Sequence, residues 1–301
     1  MGKTTVAAAL ARMAARAGLS ALVVEVEGKS GLAAAFGTEV LSYDEVVLSP
    51  ASPDGTAEVR ARTITPDGAL VEYLEDKGLR RLSRRLLRGG AVDVVATSAP
   101  GIKDILVLGK VKQLERAEAA DLIVLDAPAS GHAMRFLMSA RGLLDAVNVG
   151  PLQAQARDVL EMLTDPERCQ VVLVTLAEET PVNELVETAY TLEDKVGTNL
   201  GPVVVNGLYP VLEGLDADPE AAAAALDVSL RPGEAEALRR AADFRSRRQA
   251  LQAEQVGRLS AALALPQLHL PALFDAELGL SQIDRLADAL ATGVEALGVV
   301  P

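Results

Sequence analysis

Apolar residues along this chain fall into two rhythms. One is a short apolar run that carries or ends in a single polar residue: Leu22-Val23-Val24-Glu25-Val26, Leu122-Ile123-Val124-Leu125-Asp126, the run over 171–175, and Val203-Val204-Val205-Asn206. Such runs, rich in β-branched residues, read as strands covered on both faces of a parallel sheet. The other rhythm has a period near 3.6 residues and predicts helices. The first covers 4–17 and is closed by Gly18; another covers 66–76 with Pro66 at its favoured first position. Further helices are expected from Pro100-Gly101 to about 119, over 135–147, over 153–163, from Pro181 onward, over 220–226 and 233–263, and in a closing segment capped by Ser281. Runs at 45–48 and 57–64 flank Ser52-Pro53-Asp54-Gly55 and read as a β-hairpin with an Asp-Gly turn, and 266–271 reads as a last short strand. The alternation predicts an α/β fold, one mostly parallel sheet with helices on both faces. No internal repeat is visible, and 212–219 is the most loop-like interior stretch. Residues 1–301 therefore read as one domain, with a short helical subdomain over 133–170 inserted in it.

Chemistry concentrates where these elements begin and end. Met1-Gly2-Lys3-Thr4-Thr5 reads as the back half of a phosphate-binding loop, G-x-x-x-x-G-K-[ST]. In that pattern backbone N–H groups surround the phosphates, the lysine reaches the β/γ-phosphates and the Ser/Thr hydroxyl meets Mg²⁺. The Ala-rich helix that follows adds the positive end of its dipole. The plain alternative is an ordinary helix start at Thr4 or Thr5. Asp126 closes an apolar strand, where an acid can hold a Mg²⁺-bound water as a Walker-B carboxylate does; the alternative is an acid that only ends a strand. Glu27-Gly28-Lys29-Ser30-Gly31 leaves another strand at its carboxyl end, where open α/β sheets place ligands. Arg80, Arg81, Arg84, Arg85 and Arg88 lie at roughly helical spacing, readable as a basic face or as a solvated amphipathic helix.

Composition removes several classes of function. A formal net charge of −13 and a pI near 4.7 argue against a broad nucleic-acid-binding face and against a polybasic membrane anchor. No apolar run is long and uninterrupted enough to span a membrane. Cys169 is the only cysteine, so neither an internal disulfide nor a CxxC metal site can form. A reducing cytoplasm is the natural setting.

In this order the motifs resemble the arsenite-pump (ArsA) ATPases and the related tail-anchored-protein-targeting ATPases, a SIMIBI branch of the P-loop class. The likeness runs through most of the chain. Gly2-Lys3-Thr4-Thr5 matches the end of that family's GKGGxGKTT loop. Glu27 to Leu32, with Ala35-Phe36-Gly37, stands where the family has D-P-A-H-x-L and A-F-G. Pro100-Gly101-Ile102-Lys103-Asp104 resembles P-G-I-x-E, and Asp126 through Leu137 is close to D-T-A-P-T-G-H-x-x-R-x-L. Val204-Val205-Asn206 is similar to the adenine-reading V-V-N. The stretch from Leu270 to Glu277 is similar to L-P-x-x-x-x-E.

The resemblance implies a cytoplasmic Mg²⁺-dependent ATPase acting as a dimeric nucleotide switch. Gly2, Lys3, Thr4 and Thr5 would bind the phosphates, and Thr4 and Asp126 would serve Mg²⁺. Glu27 would orient the attacking water, Gly131 and His132 would report the γ-phosphate, and Asn206, Pro271, Leu273 and Phe274 would hold adenine. The departures point further. Glu27 replaces an aspartate, and Ser30 replaces a histidine. With Cys169 alone, zinc and arsenite ligation are not expected. The stretch between His132 and Val171 is short beside the targeting ATPases' Met-rich client groove. The implied partner is a second copy or a paralogous ATPase, with an unknown client, no nucleic acid and no membrane insertion. A rival reading is a nucleotide-binding regulatory or assembly subunit with little turnover. A partitioning or cell-division ATPase is a third, disfavoured by the acidic surface. The resemblance also implies a strand before Gly2 carrying the first loop glycine, so an interruption at the centre of the sheet beside residues 2–5 is expected.

Overall fold

The computed structural model describes residues 2–26, 31–76, 78, 101–128, 130–147 and 149–298. The chain opens with α1 (Lys3–Arg16), then β1 (Ala21–Val26), the short α2 (Gly31–Ala35), β2 (Val46–Ser49), β3 (Val59–Ile64) and α3 (Pro66–Asp76). Among the described residues there follow α4 (Ile102–Arg116), β4 (Leu122–Asp126), α5 (Ser130–Ala146), α6 (Pro151–Thr164), β5 (Val174–Leu176) and α7 (Glu179–Lys195). The chain closes with β6 (Val203–Leu208), α8 (Pro219–Ala225), α9 (Glu234–Ala262), β7 (Gln267–Pro271) and α10 (Leu280–Ala296). The fold is α/β, as the alternation predicts.

The strands form two ladders. One has the order β2-β3-β1-β4, the other β5-β6-β7. Every pairing is parallel except β2 against β3, the expected hairpin, where Val46 faces Ala61 and Val47 faces Arg60. No ladder joins the two groups among the described residues, so the sheet is interrupted as expected. The same two apolar layers nevertheless cover both groups. Leu22 and Val24 of β1, Ile123 and Leu125 of β4, and Val203 and Val205 of β6 meet one layer. Val23, Val124, Val174 and Val204 meet the other. Alternate residues of a strand point to opposite faces, so the two ladders lie side by side in one plane.

The layer beyond Val23 is built by α1 and α10, with Val6, Ala8, Ala9, Ala11, Ile283, Leu286 and Leu290 buried. Alanine on α1 lets that helix sit close to the sheet and to α10. A partly buried ion pair fixes the arrangement. Arg12 donates from Nε to Asp284 Oδ1 at 2.8 Å and from Nη1 to Ser49 Oγ at 2.8 Å. The opposite layer holds α3 to α7, and it contains the segment expected as a helical subdomain. Phe136, Ala140 and Leu143 of α5 and Val159 and Met162 of α6 join its core. Lys112 of α4 binds Asp158 of α6 at 2.9 Å, and Arg168 grips Glu115 through two hydrogen bonds of 2.8 Å.

Three details differ from the sequence reading. The 171–175 run pairs only by an isolated bridge at Val171 and becomes a strand at Val174–Leu176. Ser281 does not cap the last helix. That helix starts at Leu280 behind Gly279, whose N–H is held by Gln282 Oε1 at 3.1 Å, so a glutamine one turn on supplies the cap. The helix expected over 135–147 begins earlier, at Ser130, so Gly131 and His132 lie in its first turn. Glycine adopts the right-handed helical region as readily as a loop conformation, so its presence did not fix the helix start.

Candidate functional site

The start of α1 lies against the carboxyl ends of two strands. Gly2 sits ahead of the helix at φ 82°, ψ 26°, and its carbonyl accepts the first helical hydrogen bond, from Val6 N at 2.9 Å. That left-handed conformation favours glycine. Space makes the same demand, because a Cβ on Gly2 would lie 2.4 Å from Nδ2 of Asn206 at β6. Gly2 and Asn206 therefore touch, joining the start of α1 to the end of the second ladder. Two residues on, Thr4 Oγ1 donates a 2.7 Å hydrogen bond to Asp126 Oδ2 at the end of β4. Asp126 is only 2 % exposed. Gly31, first residue of α2, lies against the same threonine, its would-be Cβ 3.4 Å from Thr4 Cγ2. Lys3 and Thr5 are half-buried in the same helical turn.

One hydroxyl and one carboxylate, hydrogen-bonded at the N-terminus of a helix, form an oxygen donor set of the kind Mg²⁺ takes. The residues present fit that ion. Among the described residues no group of three or more His, Cys, Asp or Glu is arranged to hold a metal. A Mg²⁺ here would depend on two side chains plus groups brought by a ligand.

A second buried acid stands beside Asp126. Glu25 of β1 faces Asp126 in one register and Thr63 of β3 in the other, with no exposed surface. Thr63 Oγ1 donates to its Oε2 at 3.5 Å. Sequence reading placed Glu25 in a strand without giving it a role; a lone acid inside an apolar run was the available signal.

The remaining expected residues lie at the other strand ends. Pro271 closes β7, Leu273 is half-buried against the α1 layer, and Phe274 is exposed. Ala272 N donates to Leu208 O at 2.7 Å, tying the ends of β6 and β7 together. Phe274 meets Tyr209 edge to face, with ring centroids 5.1 Å apart. Gln252 of α9, almost wholly buried, holds the turn between them: its Oε1 accepts from Tyr209 N at 2.9 Å and its Nε2 donates to Gly207 O at 3.0 Å. Tyr209 and Gln252 were not singled out from the sequence. Helical spacing of polar residues along α9 was the only cue. His132 pairs with Arg135, Nδ1 to Nη2 at 3.1 Å, on the exposed first turns of α5. Glu27, Lys29, Ser30, the arginines at 80–88 and Pro100 lie outside the described residues. The structure thus brings Thr4 against Asp126 and Gly2 against Asn206, and sets Pro271, Leu273 and Phe274 at the adjoining strand ends.

This geometry, a glycine-led helix whose first threonine meets the acid at the end of a strand, is consistent with the fold of a P-loop NTPase. Residues 1–149 match the family model for anion-transporting ATPases. It is similar to ATPase BagA of Mycobacterium tuberculosis, 36% identical over 216 residues, a match covering 69% of this chain and 62% of the relative. A putative arsenical pump-driving ATPase of Halobacterium salinarum is 27% identical over 70% of this chain and 34% of the relative. ATPase get3 of Aspergillus niger is 29% identical over 46% and 39% respectively. The chain thus spans less than two thirds of the length of these curated relatives. No helix among the described residues is long and apolar enough to cross a membrane.

Proposed function

We propose that this protein is a Mg²⁺-dependent ATP hydrolase working as a dimeric nucleotide switch in the cytoplasm. The observation that carries the proposal is the 2.7 Å hydrogen bond from Thr4 to buried Asp126. It brings the two side chains that would serve Mg²⁺ together across 122 residues of sequence. The family match supports the same reading, as do relatives named as ATPases.

Each part has a physical task. The backbone N–H groups opening α1 and the Lys3 ammonium neutralise phosphate charge, which is most of what phosphoryl transfer asks of a protein. Thr4 and Asp126 would hold Mg²⁺, which supplies further positive charge at the phosphates. Gly2 lets the backbone approach without a Cβ in the way. Asn206, in contact with Gly2, offers both a donor and an acceptor toward a base edge. Glu27 accepts a hydrogen bond from the attacking water, and Gly131 and His132 at the start of α5 respond to the γ-phosphate. The partner is a second copy or a paralogous ATPase.

The purified full chain should bind ATP and release phosphate only with Mg²⁺ present, and Glu27→Gln should retain binding while losing most turnover. ATP binding without turnover in the parent would replace this reading with a nucleotide-binding regulatory subunit. Glutamate in place of the family's aspartate at position 27 favours that second reading.

A further inference from the structure

The outer half of α9 is a helix without a core. Of its 29 residues only Gln252, Gln255 and Leu259 are buried, all toward the carboxyl end. From Val211 to Leu251 no residue is buried, and α8, inside that stretch, buries none either. At 1.5 Å per residue, Glu234 to Leu251 runs about 27 Å, and none of it joins the two apolar layers. Helices in proteins gain most of their stability by packing an amphipathic face. Here a few side chains do the anchoring. Arg245 Nη2 and Gln249 Nε2 both donate to Pro210 O at 2.8 Å, and Arg239 Nη2 binds Asp218 Oδ1 ahead of α8 at 2.8 Å.

Away from those anchors α9 presents one open stripe. Glu236, Arg240, Asp243, Phe244, Arg247 and Leu251 recur at spacings of three and four residues, so they share a face. All six are exposed, Phe244 to 63%. A bare aromatic ring and a leucine bordered by charges have the composition of an interaction site. Arg240 Nε holds Glu236 Oε1 at 2.9 Å within the helix, whereas the Asp243 and Arg247 side chains take no ion pair or hydrogen bond among the described residues.

The order of charge points to what covers the stripe. Along the chain it runs acid, base, acid, base at Glu236, Arg240, Asp243 and Arg247. These four positions are symmetric about the bond between Ala241 and Ala242, and reversal turns the order into base, acid, base, acid. A second α9 laid antiparallel about a two-fold axis at that bond therefore sets Glu236 opposite Arg247 and Arg240 opposite Asp243, twice over. Parallel pairing would set like against like. An isologous contact uses the same patch on both copies and closes at two, and charges flanking a helix seam select orientation and partner. Phe244 falls within one residue of the level of Arg240 of the second copy, whose stem and guanidinium suit an aromatic face. A net charge of −13 works against an anionic lipid surface as the occupant.

We propose that this stripe is the self-association surface of the chain, where α9 of a second copy packs antiparallel. The inference deepens the dimeric reading above and rests on it for the choice of a second copy; hydrolysis of ATP does not enter it.

Sedimentation velocity of the full chain, with and without Mg-ATP, tests the surface. The parent should sediment as a dimer. Phe244→Glu should weaken that dimer about tenfold or more, as the loss of a central aromatic contact does. Glu236→Arg alone and Arg247→Glu alone each set two like-charge pairs in the interface, and each should weaken it about tenfold. Mixing these two single variants should recover a dimer within about threefold of the parent's affinity, because the mixed pair restores both contacts. The substituted residues are exposed, so far-ultraviolet circular dichroism should not change. A parent dimer that all three substitutions leave intact would overturn this surface and leave the dimer reading in place. Failure of the mixture to recover what each reversal loses would also overturn it. A parent that stays monomeric in both conditions would overturn the surface and the dimer together, while phosphate release by that monomer would keep the ATPase reading.

Discussion

At the phosphate end, the participating groups are short and held by the body of the fold. Thr4 sits in the first turn of a 14-residue helix with eight buried residues, and Asp126 closes a strand and is almost wholly buried. At the base end, Phe274 is exposed, and α9 is anchored to the turn after β6 through a few side-chain hydrogen bonds. The first end rests on backbone shape and a single donor–acceptor pair. The second rests on an edge-to-face ring pair and on side chains reaching in from a distant helix. A substitution at the first should therefore remove binding of any triphosphate, whereas one at the second should change which triphosphate is preferred.

Lys3→Ala should have the largest effect and would break the comparison if it did not. ATP and inorganic triphosphate affinities should both fall on the order of a hundredfold, the worth of a desolvated charge-assisted contact. Unchanged affinity by calorimetry would remove the phosphate end altogether. Gly2→Ala comes next. An alanine must hold φ near 82° and displace the Asn206 amide, which its Cβ would otherwise meet at 2.4 Å. The left-handed conformation alone costs about 1–2 kcal/mol, so ATP affinity should fall roughly tenfold or more. The Gly2→Ala/Asn206→Ala pair should recover part of that loss. Strictly additive effects in the double variant would show that the two ends are not in contact.

Asp126→Asn should spare nucleotide binding and raise the Mg²⁺ concentration needed for it several-fold, since an amide is a weaker ligand for a hard cation than a carboxylate. A Mg²⁺ titration identical to the parent's would leave Asp126 a strand terminator. Asn206→Ala should lower the preference for ATP over GTP by a few-fold, with triphosphate affinity nearly unchanged. If triphosphate affinity fell as far, Asn206 would belong to the phosphate end. The smallest effect concerns the layer away from both ends. Arg168 holds the Glu115 carboxyl below its ordinary range through a hydrogen bond, and Lys112 does the same for Asp158. Depressed folded-state values contribute stability that is present above the unfolded-state values and lost as pH falls through the folded ones. The unfolding midpoint should therefore decline modestly below about pH 4, and this acid loss should be smaller in Lys112→Met protein.

The fold was readable wherever one signal acted alone. Short apolar runs marked β1, β4 and β6, and the Asp-Gly turn marked the β2–β3 hairpin. Element ends were less readable because backbone hydrogen bonding decides them. Gln282 replaced Ser281 as the cap of α10, and Gly131 joined α5. The contact of Thr4 with Asp126 was readable because it joins a four-residue motif to one acid at a strand end. The α9 contacts were not, since an arginine that donates to the Pro210 carbonyl from a helix 35 residues downstream looks in sequence like any solvated arginine. Glu25 was hidden for a related reason: strand register, not sequence proximity, sets it beside Asp126.

The edge-to-face packing of Tyr209 on Phe274 has an optical consequence. The chain contains no tryptophan and four tyrosines, so its intrinsic ultraviolet emission comes from phenol rings alone. Tyr43 is hydrogen-bonded to Glu72 at 2.9 Å and Tyr190 to Ala262 O at 2.9 Å, both remote in sequence from Gly2, Thr4 and Asp126. Tyr209 carries the ring that a base settling on Phe274 would perturb. Quenching of the native fluorescence on nucleotide addition, abolished in Tyr209→Leu protein, therefore gives a label-free read-out of base occupancy from the natural sequence.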